Sequence, residues 1–211
     1  MTEKTRRIVI SVMFLSALTG LLSVSCIDSD TRIGINADGS GSVELTYTVS
    51  PLVMSLGALD EDNPVFPLPV SRDDFVRTAS GISGLELGDY SSREDEDGVH
   101  ITAELTFLTA DALNEFIGTE EGEFSLTGDA GLNRLRYVIY DAPDVEIAEE
   151  SVTLARDFFS QSFLRFTLDT PAEVQSSTLG TISGNRRSIT LELNTAELII
   201  DNQDVIWEVT W

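Results

Sequence analysis

The sequence predicts an α+β fold: antiparallel β-sheets of hairpins with two or three helices packed on one side. Two observations carry this. Several stretches alternate apolar and polar residues with period two, which gives a strand one dry and one wet face. Between them lie short segments with helix start signals and helical spacing of apolar residues, and mixing strands with a few helices in this way is the pattern of an α+β domain.

The elements follow in order. Arg32 to Asn36 reads as a strand, and Asp38-Gly39-Ser40-Gly41 is a turn. Val43, Leu45, Tyr47 and Val49 then alternate with Ser42, Glu44, Thr46 and Thr48, completing a hairpin. Pro51 ends that strand. Residues 51–70 hold Pro51, Pro64, Pro67 and Pro69 among Leu52, Val53, Met54, Leu56, Val65, Phe66 and Leu68. They read as a helical turn followed by an apolar loop. Such a loop packs on its own domain or serves as a lid or contact surface.

Ser71 caps a helix whose first turn carries Asp73 and Asp74, where the helix dipole favours anions. Phe75, Val76, Ala79 and Ile82 fall on its inner face. Leu85 to Arg93 and Val99 to Phe107 form a hairpin around the acidic tip Glu94 to Gly98. Thr109 caps a second helix, Ala110 to Ile117, with Leu113, Phe116 and Ile117 inward. Residues 123–127 and 132–141 form another hairpin. A third helix is expected over Asp144 to Phe159, with Leu154, Phe158 and Phe159 facing the core. Strands are expected at Phe163 to Asp169, Val174 to Ile182, around Ile189 to Leu193, and at the Val205 to Trp211 end.

The N-terminus is of another kind. Lys4, Arg6 and Arg7 precede an apolar run from Ile8 to Leu22. That is the layout of a secretory signal peptide, and the run is short for a membrane span. It ends in Leu22-Ser23-Val24-Ser25-Cys26, and Cys26 is the only cysteine of the chain. This ending resembles the lipobox of bacterial lipoproteins, in a loose form with Ser23 where leucine is usual. The resemblance implies cleavage before Cys26, acylation of its sulfur by palmitate-like chains, and a protein held to the cell membrane or outer membrane from outside the cytoplasm. The alternatives are an ordinary signal peptide leaving Cys26 as a free thiol, or an uncleaved anchor. No second cysteine exists to pair with it. Two or three acyl chains hold a protein firmly where one does not. The expected organisation is a signal peptide over 1–25, a lipidated cysteine and polar tether over 26–31, and one domain over 32–211.

Removing residues 1–25 of the 211 leaves 186, enough to bury roughly 70% of the unfolded surface without disulfides. The leader takes three of the 13 basic residues and one of the 36 acidic ones, so 10 remain against 35, a formal charge of −25. All ten are arginines. Such a field repels phosphate backbones and anionic headgroups, which excludes nucleic acid as a partner. The composition fits a saline habitat or a genomic bias toward arginine codons.

Beyond the lipobox, the order of elements resembles the mycobacterial LppM lipoprotein family. The resemblance runs through D-G-S-G, the helix S-R-D-D-F and the hairpin G-L-E-L…G-V-H-I-T-A-E-L-T-F. It continues through R-F-T-L-D-T-P-A-E-V and closes on V-I-W-E-V-T-W. Members often carry a C-terminal membrane-spanning helix; no such run precedes Trp211. The resemblance implies a lipid-anchored α+β envelope domain with a role in binding lipids or glycolipids. It carries over no functional residue.

Catalytic patterns are lacking. His100 is the only histidine and lies mid-strand on the polar face, where a solvated position is expected. No nucleophile elbow, zinc-protease motif or phosphate loop occurs. Setting Gly98 at the sixth position of a calcium loop leaves Arg93 at the first, and a strand follows where a helix should begin. The expectation is therefore a non-enzymatic envelope lipoprotein without metal or cofactor. Its membrane contact runs through Cys26, and its partner is a lipid, another apolar ligand, or an envelope protein. Leu52, Met54, Leu56, Val65, Phe66 and Leu68 are the candidate contact residues.

Overall fold

The computed structural model describes residues 28–51, 69–96, 98–118, 124–129, 132–143 and 147–211. The strands are β1 (Ser29–Ile35), β2 (Gly41–Val49), β3 (Leu85–Asp95), β4 (Gly98–Phe107), β5 (Phe124–Asp129), β6 (Leu132–Tyr140), β7 (Phe163–Asp169), β8 (Ser176–Ser177), β9 (Thr181–Ile182), β10 (Ser188–Asn194) and β11 (Val205–Thr210). The helices are α1 (Arg72–Gly81), α2 (Ala110–Ile117), α3 (Glu149–Phe159) and α4 (Thr195–Asp201). The fold is α+β, as the alternating pattern requires.

Seven strands form one sheet in the order β3-β4-β2-β1-β7-β10-β9, and four form a second in the order β5-β6-β11-β8. All pairs are antiparallel except β1 and β7, which run parallel at the centre of the larger sheet. That pair joins residues more than a hundred positions apart, which strand periodicity alone does not reveal.

The alternation becomes a continuous apolar row across the larger sheet. Leu87, Leu105, Val43, Ile33, Leu168, Ile189 and Ile182 are successive partners in the register. Val43, Leu105, Leu168 and Ile189 are fully buried. A one-residue slip of any of these strands would turn its apolar set to water, so the register is strongly specified. The opposite face is polar. Asp30, Arg165 and Glu192 form one row across β1, β7 and β10. There Arg165 Nε donates to Glu192 at 3.1 Å and Nη1 to Asp30 at 3.4 Å.

An aromatic chain joins the two sheets. Phe124 meets Tyr137 at 5.3 Å between ring centres, Tyr137 meets Phe166 at 5.5 Å, and Phe166 meets Trp207 at 6.4 Å. The first two contacts are edge-to-face, an arrangement favoured by the ring quadrupoles. The Trp207 indole donates to Ser177 Oγ and to the Leu179 carbonyl, each at 3.2 Å, so its polar edge is satisfied despite burial.

Local chemistry explains the helix ends. Ser71 and Asp74 make a capping box: Ser71 Oγ accepts the Asp74 N–H at 3.2 Å, and Asp74 Oδ2 accepts the Ser71 N–H at 3.1 Å. Thr109 caps α2 through the Ala112 N–H at 3.2 Å. In the β1–β2 turn, Gly39 takes φ +86°, and Asp38 accepts the Ser40 N–H at 3.1 Å.

Several expectations are corrected. β1 begins at Ser29, so the last three residues of the expected tether are already in the sheet. α3 begins at Glu149, five residues after the expected start, and has no side-chain cap. Ala155 is its buried residue, while Leu154 is exposed; in α1 likewise Val76 is exposed. The expected strand over Val174 to Ile182 is two short pieces in different sheets, β8 on β11 and β9 on β10. There are four helices among the described residues, and α4 lies where none was expected. α1 packs on β3, α2 on β4 and β5, α4 on β10, and α3 on α4.

Candidate functional site

The expected site residues Cys26, Leu52, Met54, Leu56, Val65, Phe66 and Leu68 all lie outside the described residues. The described fold does fix where the chain on either side of them enters and leaves, and one end of the larger sheet collects all of these points.

At this end the chain arrives at Asp28 and enters β1 at Ser29. Asp28 is bound twice. Its carbonyl accepts the Thr48 N–H at 3.3 Å, and its carboxylate accepts the Phe163 N–H at 2.9 Å. The first link joins β2 and the second joins β7, the two neighbours of β1. An open cleft of about 330 Å³ lies here, lined by Asp28, Asp30, Thr46, Thr48, Phe163 and Arg165 with Ser29 and Tyr47. Within it Asp28 accepts the Phe163 N–H, and Asp30 pairs with Arg165.

The described residues stop at Pro51, just after β2, and resume at Pro69. The resumed chain is held by two tyrosines. The Tyr47 hydroxyl donates to the Pro69 carbonyl, and the Tyr90 hydroxyl donates to the Val70 carbonyl at 3.1 Å. Burial pushes the Tyr47 phenol far above its ordinary pKa, with Tyr90 and Asp74 nearby adding to the effect, so it stays a neutral donor. Tyr90 packs on Phe75 of α1 with ring centres 5.7 Å apart. Period-two spacing marked Tyr47 as inward, but nothing in the sequence indicated what its hydroxyl meets.

His100 is also at this end, on the polar face as expected, with partners on both ring nitrogens. Its Nδ1 lies 3.0 Å from Thr48 Oγ1 and its Nε2 2.8 Å from Asp95 Oδ1, with the side chain about one-third exposed. A ring protonated on Nε2 donates to the carboxylate and accepts from the hydroxyl. Hydroxyl, imidazole and carboxylate thus stand in line across β2, β4 and β3. Thr48 sits within a paired strand, and its own N–H is bound to the Asp28 carbonyl. The line links β2, β4 and β3 side by side. Asp95 also pairs with Arg93 at 3.0 Å, so both its oxygens are engaged. Among the described residues no group of three or more His, Cys, Asp or Glu could hold a metal ion.

No family model matches the chain, and no curated protein matches it. Among solved structures it is similar to the folded domain of the Mycobacterium tuberculosis LppM protein, determined by NMR. The identity is 15%, the match covers 88% of this chain and 89% of that one, and the TM-score is 0.48. At that level of likeness, neither residue roles nor activity are carried across.

Proposed function

We propose that the protein is a lipid-anchored lipoprotein of the bacterial envelope whose domain binds an apolar ligand such as a lipid and performs no catalysis. The observation that carries the reading is the N-terminal pattern: a basic stretch, an apolar run of signal-peptide length, small residues, and the chain's only cysteine. The domain starts at once after it, at Ser29. Acyl chains on Cys26 would supply the membrane affinity that a charge of −25 opposes. Metabolic labelling with a fatty-acid analogue should tag the wild type and leave Cys26→Ala untagged; labelling that persists in Cys26→Ala would refute the anchor.

The ligand is assigned to the apolar stretch between Pro51 and Pro69. Burying one large apolar side chain is worth about 1.5–3 kcal/mol, and Leu52, Met54, Leu56, Val65, Phe66 and Leu68 offer six. The acidic surface disfavours an anionic headgroup, so the ligand is held by acyl chains or neutral sugars. Protein purified from bacteria should carry lipid detectable by mass spectrometry, less of it in Phe66→Asp.

A second reading is that these side chains meet an envelope protein. The filled interface around Phe166, between Tyr137 and Trp207, favours it, because that space already holds side chains. Absence of lipid, with a protein recovered by crosslinking from this stretch, would decide for it.

A further inference from the structure

We propose that the domain stands end-on to the bilayer, with the end of the larger sheet that carries Ser29, Val49, Glu94 and Phe163 turned to the headgroups of a neutral or zwitterionic lipid surface. The proposal rests on acylation of Cys26 and adds which surface meets lipid.

Reach sets the first limit. Only three residue steps separate Cys26 from Ser29, the first residue of β1, and an extended chain covers at most about 11 Å in that length. Asp28 is held by Thr48 and Phe163, so little of this length is slack. β1 is the fourth of the seven strands in the sheet, so the tether pulls on the middle of this end.

The register then says what else lies there. Ser29 faces Tyr47 of β2 and Leu164 of β7. Two residues further toward the tether, Val49 faces Val99, which faces Glu94. The other end of β2, at Gly41, is roughly 26 Å away at about 3.3 Å per residue, and the turn containing Ala37 lies beyond it.

Two features favour contact by this end over contact by a face. Phe163, 39% exposed, is the aromatic among the large exposed apolar side chains of the described residues, and it sits here. The polar face of the sheet carries Glu44, Glu104, Asp169 and Glu192 along its length, and pressing it on a bilayer would desolvate them. Its other face is buried in the core. Asp28, Asp30, Glu94, Asp95 and Glu96 at the contacting end repel anionic headgroups, which sets the lipid class.

The test uses the full acylated protein in phosphatidylcholine vesicles. With Cys26 acylated, a single added cysteine takes a fluorophore uniquely, at Glu94→Cys, Ala37→Cys or Glu104→Cys, all exposed positions. Vesicles containing headgroup-quencher lipid should quench the Glu94 position several-fold more than the Ala37 position, with Glu104 between. Quenching at Ala37 equal to that at Glu94, or strongest at Glu104, overturns the end-on arrangement while leaving the anchor intact. Protein that fails to float with the vesicles overturns the anchor and this arrangement together.

Discussion

The carboxylate of Asp28 accepts the backbone N–H of Phe163 at 2.9 Å, across 135 residues of sequence. The contact fastens the first described residue to the start of β7, beside the parallel β1–β7 pair. A hydrogen bond to a charged acceptor at a partly wet site contributes about 1 kcal/mol. Asp28→Ala should therefore lower stability by about that much in urea unfolding. Asp28→Asn keeps an acceptor and should lose less. An Asp28→Ala protein as stable as wild type would show that the clamp does not hold β1.

Gly41 and Gly34 face each other's neighbours across the β1–β2 hairpin and should respond differently to alanine. A Cβ on Gly41 would lie 2.0 Å from the Gly34 carbonyl oxygen and 2.5 Å from Phe107 Cζ, both closer than atoms tolerate. A Cβ on Gly34 would meet only Ser42 Oγ at 3.5 Å, an ordinary contact. Gly41→Ala should cost about 2–3 kcal/mol through forced shifts in a packed region, and Gly34→Ala well under 1 kcal/mol, as at unobstructed sites. Equal melting temperatures for the two variants would contradict the close approach.

The capping box makes a prediction about acid. The Ser71 hydroxyl holds the Asp74 carboxyl below its usual pKa, with partial burial opposing and Arg77 assisting. A carboxylate whose pKa is depressed on folding stabilises the fold above its unfolded pKa, about 3.9, and this stability fades as pH falls through the lower folded value. Asp74→Asn should thus be less stable than wild type at neutral pH, and the gap should narrow below about pH 4. Ser71→Ala should cost about 1 kcal/mol through the lost cap. A gap for Asp74→Asn that widens in acid would reverse the sign and refute the linkage.

Charge predicts a response to salt. Self-repulsion at −25 is screened over about 10 Å at 0.1 M ionic strength. The melting temperature should rise from low salt to this range. A continued rise into molar sodium chloride marks a salt-adapted surface, and a plateau leaves codon bias as the origin of the composition. No rise at all would mean that the pairs built around Arg32, Arg165 and Arg134 already offset the repulsion.

The sequence made the hairpins legible because their burial is one-sided. Val43, Leu105 and Ile189 alternate with polar residues for the same reason that they share one buried row. Ser71 and Thr109 were legible as caps because capping is local chemistry. What escaped was long-range or short in extent. The β1–β7 pairing depends on two segments finding each other across most of the chain. α4 has only seven residues, and its run Leu198-Ile199-Ile200 between two strands looks like strand, although burial of Thr195, Ala196, Leu198 and Ile199 follows helical spacing. The partners of His100 were not legible, because Thr48 and Asp95 become its neighbours only through strand register. The site around Asp28 was hidden likewise: a polar residue just after an apolar N-terminal run looks like tether until β7 is placed beside it.

The central claim is that Cys26 anchors this domain, and the mass of the N-terminal peptide tests it most directly. Protein extracted from membranes with detergent and digested should yield a peptide that begins at Cys26 and carries the added mass of a diacylglyceryl group, with or without a third acyl chain. An N-terminal peptide beginning elsewhere, or one beginning at Cys26 with a free thiol, would contradict the account.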